Sequence, residues 1–103
     1  MHAVLITFHS AASLEDVAEP FERYAYALQA IPGLVMKTWI ADDTTLGGFH
    51  IFIDRASADA YLGGDLLATV ANNPVFSDFA IRHFEVIDAL SALNGSPSIT
   101  QAA

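Results

Sequence analysis

The sequence predicts an α+β fold, a four-stranded antiparallel sheet with helices on one face. Three observations predict it. Strand-like and helix-like stretches follow in the order strand, helix, strand, strand, helix, strand, which is the ferredoxin-like arrangement. The first helical stretch carries an apolar stripe at helical spacing. The strands are apolar on both faces, in a chain of 103 residues that is 53 % hydrophobic and 16 % charged. Average domains carry roughly 25 % charged residues. So short a chain cannot hide that much apolar surface alone, and a second copy of the same sheet is the simplest cover. The expected assembly is therefore a homodimer, a dimeric α+β barrel.

The elements are justified in order. His2 to His9 reads as a strand, with Val4, Ile6 and Phe8 on one face and Ala3, Leu5 and Thr7 on the other. Ser13 to Ile31 is helical: Leu14, Val17, Phe21, Tyr24, Leu28 and Ile31 fall on one stripe. Ser13 and Asp16 resemble a capping box. Pro20 leaves two readings, a kinked helix or a separate turn with Pro20 opening the main helix, and the second is preferred. Pro32-Gly33 ends the helix. Gly33 to Ala41 and Leu46 to Ile53 form a hairpin across the polar Asp42 to Thr45 linker. Asp54 caps a helix from Arg55 to Leu62, and Asp65 caps another from Leu66 to Ala71. The last strand runs from Phe79 to Ile87. Leu90 and Leu93 follow on a C-terminal segment expected to reach over the partner. Residues 1–95 are expected to form a single domain, and 96–103 a flexible tail.

Composition narrows function. Twelve acids against four bases give a net charge of −8. Nucleic acid and anionic membrane surfaces need clustered bases, so neither is an expected partner. The chain has no Cys, hence no disulfide or thiolate chemistry. No apolar run reaches the roughly 20 residues of a membrane span. The first residues read as a strand and not a leader, which makes the cytoplasm the expected compartment.

Polar-tipped side chains inside apolar elements are the site candidates, because each costs free energy when buried without a partner. Lys37 and Trp39 share a strand face. Trp39 can wall a flat aromatic ligand, and Lys37 can stabilise a developing anion. His50, on a face with Phe52, and His83, between Arg82 and Phe84, are the general-base candidates. Tyr24 and Tyr61 can line a pocket between helices and sheet, whereas Tyr26 reads as exposed. Arg82 can pair with an anionic intermediate or with Glu85 or Asp88. His2 and His9 lie at strand ends and rank lower. No histidine pair has the spacing of a zinc site, and Gly47-Gly48 and Gly63-Gly64 lack the dinucleotide spacing, so neither metal nor nucleotide cofactor is expected.

Two blocks carry a family resemblance. One is PGLVMKTWIADDTTLGGFHIFIDRASADAYL, Pro32 to Leu62; the other is RHFEVIDALSALN, Arg82 to Asn94. In wording they resemble the YdhR-like monooxygenases, relatives of the antibiotic-biosynthesis monooxygenases. The resemblance implies the dimeric α+β barrel already reached from the pattern. It also implies cofactor-independent oxygenation of a small, apolar, activated substrate such as a phenol, anthrone or quinol. Other members of the wider superfamily are isomerases or haem-degrading enzymes. An isomerase or lyase in the same pocket, or a non-catalytic dimeric binding protein, therefore remains an alternative. In sedimentation at micromolar concentration, the protein is expected to run at twice its chain mass; a monomer would refute the sheet-on-sheet dimer.

Overall fold

The computed structural model describes residues 1–96. Its elements are β1 (His2–Ser10), α1 (Leu14–Leu28), β2 (Leu34–Ala41), β3 (Thr45–Phe52), α2 (Arg55–Leu62), α3 (Asp65–Ala71), β4 (Phe76–Glu85) and α4 (Asp88–Leu93). The strands pair in the order β2-β3-β1-β4, and every pairing is antiparallel. This is the ferredoxin-like sheet expected from the order of elements. The flexible tail expected at 96–103 lies, Ser96 apart, outside the described residues.

The core lies between one sheet face and helices α1 to α3. Val4, Ile6 and Phe8 of β1 and Leu46 and Phe52 of β3 meet Val17, Tyr24 and Leu28 of α1, Ala58 and Tyr61 of α2, and Leu67 and Val70 of α3. Aromatic rings do much of the joining. Phe21 lies 5.0 Å from Trp39 and 5.7 Å from Phe76, centroid to centroid. Such pairs add about 0.5–1.5 kcal/mol beyond area burial.

Local chemistry explains the element ends. Ser13 Oγ accepts from the Asp16 amide at 3.2 Å, and Asp54 Oδ1 accepts from the Ser57 amide at 2.8 Å, each satisfying a free donor at a helix start. The preferred reading of Pro20 is corrected: α1 runs unbroken through it. Pro20 is exposed, so water can take the Asp16 carbonyl that its missing N–H leaves free. Asp65 is not a cap either; Gly64 occupies that position without a side-chain bond, and Asp65 opens the helix itself. There its carboxylate still complements the helix dipole.

Strand β4 begins three residues before the expected Phe79 and ends two before Ile87. The early start contains a bulge. Between Thr7 and His9 the β1–β4 register slips by one residue, and Asp78 adopts φ 56°. Phe76 and Phe79, which strict alternation would put on opposite faces, therefore both reach Phe8, at 4.9 and 5.0 Å.

The core helices α1 to α3 all pack on the first face, and the opposite sheet face exposes apolar side chains. Ile40 and Phe84 are about 40 % exposed, and Ile87, Leu90 and Leu93 in and before α4 are 64, 60 and 84 % exposed. No helix among the described residues is long and apolar enough to cross a membrane.

Gly33 joins α1 to β2 at φ 77°, and a methyl group there would strike Ser57 Oγ and Cβ on α2. Gly33→Ala combines left-handed strain with a steric clash. It is expected to lower stability by about 1–3 kcal/mol, read as a lower denaturant midpoint at unchanged m-value.

Candidate active site

The β2–β3 register builds the site. Lys37 stands opposite His50, and Trp39 opposite Gly48. All four face the helices. Tyr24 and Phe21 from α1, Tyr61 from α2, and Leu67 and Val70 from α3 close over them. The cavity between them is about 20 Å³, room for about one water molecule.

His50 is 1 % exposed. Its Nδ1 lies 3.2 Å from the Val4 carbonyl oxygen. A carbonyl only accepts, so Nδ1 carries the proton and Nε2 presents a lone pair. No protein group among the described residues bonds to this buried Nε2. Burial first, and the Lys37 charge second, lower the His50 pKa to about 4. The ring packs between Phe52, at 6.2 Å, and Tyr61, at 5.5 Å.

Lys37 is the chain's only lysine; the other three bases are arginines. Arg23 and Arg55 pair with carboxylates on the surface. Lys37 instead lies with Nζ 3.2 Å above the Trp39 ring and 4.9 Å from the Tyr24 ring. It forms no ion pair among the described residues. Burial lowers its pKa to about 7. The two flanking phenols bond to each other, Tyr24 to Tyr61. Burial raises the pKa of both, so both stay protonated near neutrality. One phenol donates to the other, leaving one O–H for an acceptor in the cavity.

Gly48 is a residue that sequence reasoning missed. A methyl group there would come within 2.5 Å of Lys37 Cε and 2.9 Å of His50 Cε1. A glycine inside a strand marks a close approach, and that was the available signal. Neighbouring Gly47 faces the other way, against the Ile6 carbonyl. Phe21, Leu67 and Val70 were missed as lining residues because they look like any core position.

The structure thus brings Lys37, Trp39, His50, Tyr24 and Tyr61 together. Three other expected residues lie elsewhere. Phe52 is fully buried behind His50 and does not line the cavity. His83 Nδ1 sits 2.8 Å from His2 Nε2, across the strand pair from the site. Arg82 is exposed and stands on the other sheet face, opposite Leu5, its guanidinium 5.0 Å from the Phe84 ring. Among the described residues, no group of three or more His, Asp or Glu is placed to hold a metal ion.

The family described as "Putative mono-oxygenase ydhR" matches residues 4–97, and the chain belongs to that family. Among solved structures, a Nitrosomonas europaea protein of unknown function is similar at 24 % identity and TM-score 0.68, covering 84 % of this chain and 88 % of that one. SnoaB, a cofactor-independent oxygenase from Streptomyces nogalater, is similar at 16 % identity and TM-score 0.67, covering 82 % of this chain and 91 % of its own. The heme-degrader MhuD from Mycobacterium tuberculosis is similar at 17 % identity and TM-score 0.65, covering 84 and 96 %. At such identities the likeness establishes the fold. No curated protein matches the chain.

Lys37 couples the site to stability. Its folded pKa of about 7 lies below the roughly 10.4 of an unfolded lysine. The unfolded chain therefore holds this proton across a range where the folded chain has released it, and stability rises with pH from about 7 towards 10. Lys37→Met should remove that rise and increase Tm at pH 7 by at least about 4 °C. Thermal unfolding at pH 7 and 9.5 checks both.

Proposed function

We propose that the chain is a cofactor-independent monooxygenase for a small, apolar, activated phenol, anthrone or quinol, acting as a homodimer. The observation that carries this reading is the unpartnered His50 Nε2, held in an aromatic cavity beside the chain's only lysine. A lone pair placed there can take a proton from a bound substrate. Lys37 and the free phenol proton of the Tyr24–Tyr61 pair can stabilise the anion that results. Trp39 and Tyr24 supply walls for a flat ring.

The chemistry balances without a cofactor. His50 removes a proton from an activated CH2 or phenol, and the carbanion or enolate reduces O2. A C–O bond forms, giving a peroxide. Loss of water from the peroxide leaves a carbonyl, with one oxygen atom in the product and one in water. The depressed His50 pKa makes it a weak base, so only a substrate with a stabilised anion qualifies. Admitting a ring requires the Lys37 side chain to swing off Trp39, over which its Nζ lies at 3.2 Å. The uncovered apolar sheet face, with Ile40, Phe84 and the α4 residues, supports the homodimer.

Oxygen uptake against a panel of anthrones and quinols tests the reading. His50→Ala should lower turnover at least about a hundredfold. Turnover needs neutral His50, present above about pH 4, and charged Lys37, lost as pH rises through about 7. The rate should therefore hold from about pH 5 to 6.5 and fall above 7, and Lys37→Met should abolish that fall. Product formation without O2 uptake would indicate isomerase or lyase chemistry instead. Turnover unaffected by His50→Ala would remove the base.

A further inference from the structure

The chain places its only side-chain amine in an aromatic cavity, although every other base is an arginine on the surface. For anion binding alone, an arginine would serve better, with its rigid fork of donors. A lysine differs in being able to lose its proton and become a nucleophile. From this arrangement we infer that Lys37 is a carbonyl-capturing amine, which condenses with a small, uncharged aldehyde to form an imine. This activity goes beyond the oxygenation proposed above and does not depend on it.

The geometry supports each part. The groups facing Lys37 are Tyr24 on α1, Tyr61 on α2, and Trp39 and His50 on the sheet. None is a carboxylate that would hold the amine as ammonium. With a pKa of about 7, a large share of the amine is free base near neutrality. A methyl group at Gly48 would come within 2.5 Å of Lys37 Cε and 3.3 Å of His50 Nε2. The carbon bearing the amine and the imidazole edge with its lone pair thus pack against the same bare stretch of backbone. The cavity, with room for about one water molecule, favours the smallest aldehydes, and the net charge of −8 disfavours anionic carbonyl compounds.

The condensation closes with release of water. Lys37 Nζ attacks the aldehyde carbon, forming the C–N bond. The nitrogen sheds a proton and the oxygen gains one, with His50 Nε2 placed to relay it. The hydroxyl then leaves as water, taking up the remaining amine proton, and the nitrogen lone pair closes the C=N bond.

Reductive trapping tests the inference in the intact protein, under nitrogen so that no oxygenase step contributes. Acetaldehyde with sodium cyanoborohydride is added across pH 6 to 9, and N-ethyl adducts are mapped by peptide mass. The N-terminal amine is the only other amine; it is held 2.9 Å from an Asp88 oxygen and serves as an internal reference. Expected is ethylation of Lys37 at least about tenfold faster than that of free Nα-acetyl-lysine at pH 7, because a depressed pKa activates the amine. The rate should level off above about pH 7.5, and Lys37→Arg should leave only the N-terminal product. Labelling confined to the N-terminus would overturn the inference. So would a Lys37 rate equal to that of the free amino acid, or one still climbing at pH 9.

Discussion

The register of β2 against β3 sets Lys37 opposite His50 and Trp39 opposite Gly48, and a cation and an imidazole are thereby held out of water against aromatic rings. The absent side chain at Gly48 allows this. In a sheet, cross-strand neighbours and diagonal neighbours compete for the same volume. Here that volume is given over to the Lys37 stem and the His50 ring. The perturbed acidities follow from this packing. So do the orphaned Nε2, the small size of the cavity and the contact of Lys37 with Trp39.

Holding these groups indoors costs free energy, and the surrounding structure offsets it. A buried amine over an indole recovers about 0.5–2 kcal/mol as cation–π attraction. The Val4 carbonyl satisfies one nitrogen of His50 and fixes its tautomer. The phenol pair satisfies one proton of two. The apolar core around Phe52, Val4 and Tyr61 supplies the rest of the stability. A site with unspent hydrogen-bonding capacity in an otherwise satisfied core is where ligand chemistry belongs.

The same fold supports different chemistries in its structural neighbours, an oxygenase that needs no cofactor and a heme-degrader among them. Fold likeness therefore assigns no reaction, and the reading rests on the site's own groups. In this chain those groups are a neutral imidazole, a titrating amine and two protonated phenols. They suit proton transfer and anion stabilisation. His2 and His83 form a separate pair at the far end of β1, engaged with each other. They leave His50 as the histidine with a free lone pair in the cavity.

Periodicity and punctuation in the sequence were enough to place the strands, the helices and their order, because those depend on local spacing and on residues such as Pro32, Gly33 and Asp54. They also marked Lys37, Trp39, His50, Tyr24 and Tyr61 as polar-tipped side chains among apolar ones, a pattern that needs no coordinates to see. Tertiary structure decided the rest. Alternation shows that His50 and His83 each share a face with their strand neighbours, but not which sheet position each occupies. Pairing puts His50 on β3 beside Lys37, and His83 on β4 beside His2. The bulge in β4 shifted the phase of Phe76 and Phe79, and solvent beside Pro20 let α1 continue through it. Gly48 falls within the expected third strand, and only the fold brings Lys37 and His50 together over it. Local propensity acts within a few residues. The contacts that make the site span Tyr24 to Tyr61 and Val4 to His50, and only the folded chain brings such distant positions together.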